Sequence, residues 1–467
     1  MQSNKIVRIV GLTLILLLSM WVMEALLEAN HQTRNIIIGV SIFIILLLVL
    51  WRKIPIDIKF LFIVMLGYAI GGKGFAYLSP VAPIYIGEIC FAFCLFGYVL
   101  RSRQWGLMDT PIHKLIWIYI IYAAIHLQID YAEYGVLAIR DSATVYYAFF
   151  FIAAFVMFRN ERVVDAFEKI IKVTIVFGII QWGSGLILRT MGIYIFIPGY
   201  HPHCDSSIPL LTAASLFFLC KGMESKSIIC IVTGAVATVF LMNTKTAAFI
   251  AFFAVFGTAV FWGRVKGLLV PSSIIILIGT ISIAIIAMVN TDIAMDMLSG
   301  GEHAEALGIQ GGEFVGLSGS SSWRWDWWMT IWDDTMKMAP FLGQGFGSDI
   351  STPYLGYSEH ALSVRYPHNI IFTIVGRLGL IGLIIFMPLF IAVGVYSLIF
   401  CKRFFQSPHR RDADLIAYAI VVAGMINGVL QATYEVPYGA ITHWVCVGYL
   451  VRRVYDTKHI TGNLSKS

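Results

Sequence analysis

The sequence predicts an all-α, polytopic transmembrane helix bundle of 12–14 spans, with one large helical loop outside the cytoplasm. Three observations predict it. Hydrophobic residues make up 58% of the chain and charged residues 13%, with a mean hydropathy of +0.80. A soluble domain runs near a quarter charged, so most of this surface is solvated by lipid. Apolar runs recur along the chain at lengths close to the ~20 residues that cross a hydrocarbon core. Lastly, one connection, residues 290–368, is far longer than the other outer loops.

The runs fall near 6–26, 36–51, 58–72, 84–100, 112–128, 143–158, 170–188, 208–221, 228–243, 246–262, 268–289, 370–400, 413–432 and 438–451. The first contains Glu24 and is followed by no small-residue cleavage site, so it reads as a retained helix and not a removed signal peptide. The run at 370–400 is long enough to include an interfacial first turn. Cys90, Cys94, Cys220, Cys230 and Cys446 lie in apolar runs, Cys401 at a basic boundary, and Cys204 alone in an outer loop, which argues against a disulfide framework.

Basic residues near span ends stay on the cytoplasmic side. Placing both termini inside puts 24 of the 33 Lys and Arg residues in inner segments, including Arg52 and Lys53, Arg101 and Arg103, Arg159 and Arg162, Arg264 and Lys266, Lys402 and Arg403, and Arg452 and Arg453. This bias accounts for the net charge of +6, so the charge does not imply nucleic-acid binding. The chain divides into an N-terminal bundle (1–289), the large loop (290–368), and C-terminal helices with a cytoplasmic tail (369–467). Topology leaves Arg34, Lys73, Arg140, Arg189, Lys245, Arg324, Lys337, Arg365 and Arg377 on the outer side.

Within the loop, acidic residues (Asp292, Asp296, Glu302, Glu305) and His303 precede a Gly/Ser-rich connector at 311–322. Next comes WRWDWWMTIWDDTMKMAP, which reads as a helix capped by Ser321 or Ser322 and ended by Pro340. Trp325, Trp328, Met329, Trp332 and Met336 share one face at helical spacing, so the helix is expected to lie on the bilayer. Its indoles serve either as an interfacial anchor or, through residues such as Trp327 and Trp328, as surfaces that stack on sugar rings while Arg324 meets an anion. The segment GQGFG (Gly343, Gly345, Gly347) follows no strand and lacks a succeeding Lys-Ser/Thr, so it reads as a tight turn and not a phosphate loop. Pro367 introduces the next helix, with His368 and Asn369 at its start. A solvated histidine there is suited to taking a proton from a hydroxyl.

Other polar features carry several readings. Arg140 is either a surface partner of Asp141 or a substrate contact. His201, His203, Cys204 and Asp205 make a polar loop, a substrate contact or a metal site; without a second ligand pair no metal is assigned. Glu24 and Glu88 lie toward span ends, where an acid is a functional hint.

Together these residues resemble the bacterial O-antigen ligase and polysaccharide polymerase family. The pattern is His followed by Asn, Ser or Gln, nine residues, Gly, two residues, and Gly, Thr or Tyr; His368, Asn369, Gly379 and Gly382 satisfy it. Arg324, Pro340, Gly343 and Gly345 follow the family's upstream order, and Asn243-Thr244-Lys245-Thr246 matches its basic Ser/Thr-rich turn. Two positions depart: Lys245 stands where Arg is usual, which weakens bidentate phosphate recognition, and Arg377 stands where an acid is frequent. The resemblance implies a GT-C-like membrane glycosyltransferase without a cofactor or metal, in the inner membrane. It would move a glycan from undecaprenyl diphosphate to an acceptor hydroxyl on the outer face, with inversion. It implies His368 as the base and Arg324 as the residue opposing the diphosphate, with Lys245, Arg140, Arg365, Asn369, Trp327 and Trp328 binding substrate. The implied partners are the lipid-linked oligosaccharide or polysaccharide, a glycan acceptor, the bilayer, a flippase and a chain-length regulator. Two spans beyond the family's usual twelve favour a polymerase over a ligase joining glycan to lipid A core. A solute transporter is the competing class, but transporters show repeated halves and mid-membrane sites, whereas here no repeat is seen and polar residues gather at one surface. A non-enzymatic assembly component is the third.

Overall fold

The computed structural model describes residues 54–76, 78, 85–101, 110–190, 204–242, 246–265, 268, 317–350 and 366–464. The described chain is all-helical. Its helices are α1 (Ile56–Ala76), α2 (Ile86–Arg101), α3 (Pro111–Tyr134), α4 (Val136–Asp141), α5 (Ala143–Tyr146), α6 (Phe149–Met157), α7 (Glu161–Thr190), α8 (Cys204–Ser225), α9 (Ile228–Met242), α10 (Thr246–Phe261), α11 (Leu317–Met338), α12 (Ile370–Phe404), α13 (Asp412–Leu430) and α14 (Pro437–Leu464). The apolar runs at 6–26, 36–51 and 268–289 lie outside the described residues, as do Arg34, Lys245, Arg365 and the acidic first part of the loop; every other run falls on a helix.

Among the described residues, α1, α3, residues Ile208–Ser225 of α8, α12 and α13 are each long and apolar enough to cross a bilayer. The pair Val136–Tyr146 and Phe149–Met157 is together long and apolar enough to cross as well, and is bent by 44° at its break, the form of a broken span or a re-entrant loop. The run at 143–158 thus contains a corner. α8 lies at the centre of one half, packed on α7, α9, α10 and α13, while α14 packs on α6 and α13, and α12 on α3, α13 and α11. The shared core is apolar and aromatic, with Phe62, Phe150, Phe155, Phe167 and Tyr449 fully buried.

Local chemistry sets several boundaries. Thr110 caps α3, its hydroxyl accepting from the backbone N–H of His113 at 3.4 Å, with Pro111 in the first turn. Asn369 caps α12, its side-chain oxygen accepting from the N–H of Ile371 at 2.9 Å and Phe372 at 3.4 Å. At the end remote from that cap, ion pairs join the helices: Asp412 binds Lys172 at 3.0 Å and Lys221 at 3.2 Å, and Arg411 binds Glu161 and Asp165.

α12 is not one continuous helix. Gly379 takes φ 63°, ψ −163° and divides it into residues 370–378 and 380–404. The break frees backbone groups, and the turn after α11 supplies their partners. Gln344 N–H donates to Gly376 O at 2.7 Å and Gly345 N–H to Arg377 O at 3.1 Å, while Leu380 N–H donates to Pro340 O at 2.9 Å and Ile381 N–H to Phe341 O at 3.2 Å. Tyr122 of α3 closes the set by donating to Leu378 O at 3.1 Å. The GQGFG segment is therefore the tight turn its composition suggests, with positive φ at all three glycines. Gly343 and Gly379 face each other so closely that a Cβ on either would overlap the other's backbone.

Gly379→Ala should therefore lose several kcal/mol of stability, since it adds strain at positive φ to a backbone collision. Gly257, in α10, has open space around it, and Gly257→Ala should raise stability by up to ~1 kcal/mol through helix propensity. Thermal unfolding of the two variants in detergent, side by side, checks both.

Candidate active site

α11 begins at Leu317, earlier than a cap at Ser321 or Ser322 would place it, and ends before Pro340 as expected. It does not turn the anticipated Trp face to one environment. Trp325 and Trp332 are exposed, whereas Trp327, Ile331 and Thr335, spaced four apart, are buried against the protein. The reason is that α11 packs on α12, with Ile331 beside Gly376. Trp327 is fully buried and donates its indole N–H to Ile350 O at 3.3 Å. It is a core residue, and the expectation that its face is open to a sugar is corrected.

Trp328 sits on the inward side too. Its indole N–H donates to Pro367 O at 2.8 Å, and its ring stacks on Phe372 at 5.5 Å and 11°. Arg324, one turn earlier, donates from Nη1 to Leu430 O at 3.2 Å, the last residue of α13. A cation is favoured there by the carbonyl end of the helix dipole. The elements bearing Arg324 and His368 are thus joined through Trp328.

His368 adopts φ 55°, a left-handed conformation uncommon outside glycine. It is partly exposed, and the buried Asn369 follows as the cap. Asn369 was expected to bind substrate; its side-chain oxygen instead accepts from two backbone N–H groups of α12. The motif's fixed positions therefore begin a helix (His368, Asn369) and break it (Gly379).

Arg377, whose role the sequence leaves open, is 1% exposed and forms an ion pair with Asp141 at 2.9 Å. It also donates to Ser348 Oγ at 3.1 Å, to the Ser348 carbonyl, and to Gly345 O at 3.3 Å. Asp141 in turn accepts from Gly347 N–H at 3.1 Å. This corrects the expected Arg140–Asp141 pair: the two residues are a helical step apart, so Asp141 points inward to Arg377 while Arg140 remains exposed. A second buried pair secures the same turn. His126 Nδ1 lies 2.7 Å from Asp130 Oδ2 and its Nε2 2.7 Å from Leu342 O, and Asp130 accepts from Phe346 N–H at 2.6 Å.

Sequence reasoning missed the connection between α13 and α14, where Gln431, Thr433, Tyr434 and Glu435 are all buried. Glu435 accepts from the Thr373 hydroxyl, in the first turn of α12. Its Oε2 has no partner among the described residues. Burial pushes its carboxyl up to about 8 against opposing effects of Thr373, the Asn369 N–H and Arg377. The available signal was an acid in a short polar link between two apolar runs. Glu88, which the sequence singles out, lies in the first turn of α2 and accepts from Tyr146 Oη at 3.0 Å, Tyr147 Oη at 3.1 Å and Tyr85 N–H at 3.1 Å. Lys245, Arg365, His201 and His203 lie outside the described residues, and only the backbone of Cys204 and Asp205, at the start of α8, is described.

Compared with known families, residues 230–387 match the model described as O-antigen ligase. The match runs from α9 to the middle of α12 and includes Arg324, the Gly343–Gly345 turn, His368, Asn369, Gly379 and Gly382. It supports the resemblance read from those motifs. No curated protein matches the chain.

The Glu435 carboxyl makes stability depend on pH. Its folded value exceeds the ordinary 4.5, so between those values the folded state binds the extra proton. Stability is full below about 4.5 and falls as pH rises through about 8, by an amount on the order of a few kcal/mol. Glu435→Gln should flatten this fall, measured as the unfolding temperature in detergent from pH 5 to 9.

Proposed function

We propose, on the match of residues 230–387 to the family model described as O-antigen ligase, that the chain is an integral membrane glycosyltransferase of O-antigen or exopolysaccharide assembly. It transfers a glycan from undecaprenyl diphosphate to an acceptor sugar hydroxyl at the extracytoplasmic face of the bacterial inner membrane, with its termini in the cytoplasm. The observation that carries this reading is the junction of α11 and α12. Arg324 and His368 lie on elements joined by the Trp328–Pro367 hydrogen bond.

In this reading the acceptor oxygen forms a bond to the anomeric carbon from the face opposite the carrier, so the configuration inverts. The carbon–oxygen bond to the diphosphate breaks, and the electron pair stays on the diphosphate. His368 receives the acceptor's proton, because a partly exposed imidazole is a competent base near neutral pH. Arg324 opposes the charge that develops on the leaving oxygen. Its Nη1 donates to Leu430 O, which fixes the guanidinium against the end of α13. Lys245, Arg365 and the exposed Arg140 are further candidates for the carrier phosphates, and a flippase and chain-length regulator are candidate partners.

Two variants test the reading in a deletion strain. His368→Ala should cut polysaccharide synthesis by ~100-fold or more, and Arg324→Ala should do so comparably, with both proteins still present in the membrane. Normal polysaccharide from both would overturn the proposal. The deletion strain itself identifies the acceptor: single-repeat chains mark a polymerase, and full chains left on the carrier mark a ligase.

A further inference from the structure

We infer that Trp328 is a positioning residue: it holds His368 in place through the Pro367 carbonyl and does not stack on a sugar. The inference rests on the proposed role of His368 and deepens it. The Trp328 indole N–H and one face of its ring are already engaged within the protein. The N–H donates to Pro367 O at 2.8 Å, and the ring lies parallel to Phe372 at 5.5 Å. Pro367 immediately precedes His368, and Phe372 lies one turn beyond it, so the indole spans the histidine from both directions along the chain.

His368 needs such a restraint. A non-glycine residue at φ 55° is strained and persists only where its surroundings hold it. The succeeding residues are fixed by the Asn369 cap within α12 and by the bond from Thr373 to Glu435 of the α13–α14 connection. The preceding residue is held by α11 through Trp328. Because Arg324 precedes Trp328 by one helical turn, the same contact sets the spacing between Arg324 and His368. The exposed Trp325 and Trp332 have no corresponding position.

The test uses the full-length protein in proteoliposomes with lipid-linked glycan extracted from a deletion strain. Trp328→Phe keeps an aromatic ring and removes the N–H donor. It should lower kcat by about tenfold to a hundredfold, the scale of a small misplacement of a reacting group, and leave KM within twofold. In a His368→Ala background, Trp328→Phe should lower the residual rate no further, since residues acting as a unit are non-additive. Trp332→Phe, on the exposed face, should change neither parameter. A raised KM with unchanged kcat would show that Trp328 binds sugar and overturn the inference, as would an added loss in the His368→Ala background. If His368→Ala alone keeps the wild-type rate, it is the assignment of the base that fails. Should Trp328→Phe not fold, Phe372→Leu, which removes the stacked ring and spares the N–H bond, is expected to give the same split between kcat and KM.

Discussion

A backbone break inside a membrane-spanning helix sets the terms for the rest of this structure. Lipid offers no hydrogen bonds, and an unsatisfied amide or carbonyl there costs several kcal/mol. At Gly379 the helix turns out of register, and residues 340–345 return to donate and accept at four positions. Neither partner is complete alone, because the turn's own amides also need acceptors. The loop and the span are therefore a single structural unit. The short helix at 370–378, headed by His368 and Asn369, takes its position from that union.

Charge reinforces the same joint. Arg377 and Asp141 are taken out of water together, and Ser348, Gly345 and Gly347 add hydrogen bonds that offset part of that cost. Such a pair adds little net stability, but it penalises any arrangement that leaves one member alone. His126 and Asp130 hold the neighbouring part of the turn to α3. Acids at this end thus fasten a loop to helices, whereas at the remote end Asp412, Glu161 and Asp165 hold helices to one another.

The helical class, several of the spans and the His368 motif were legible because they are local: an apolar run, a cap and a glycine at fixed spacing report on residues close in the chain. Pairings across the chain were not. Arg377 could not be assigned because its partner Asp141 lies in another helix, and Arg140, its sequence neighbour, offered itself instead. Trp325, Trp328 and Trp332 of α11 read as one interfacial stripe, since hydropathy does not distinguish an indole facing lipid from one facing α12. Trp327 and Trp328 were separated from Trp325 and Trp332 only by the packing. Glu435 went unnoticed because a single acid in a short link has no spacing to betray it; its importance comes from burial beneath Asn369 and Thr373.

The dependence of α12 on the 340–345 turn also bears on how the protein is made. When 380–404 passes into the bilayer during synthesis, the amides at the break must already find the preceding turn or remain bare in lipid. Docking of α11 and its turn is then a step in membrane insertion itself. A chain whose loop is slow to fold would stall with a half-inserted span, a target for quality-control proteolysis. Substitutions in the turn would accordingly alter how much protein accumulates as well as the chemistry at His368.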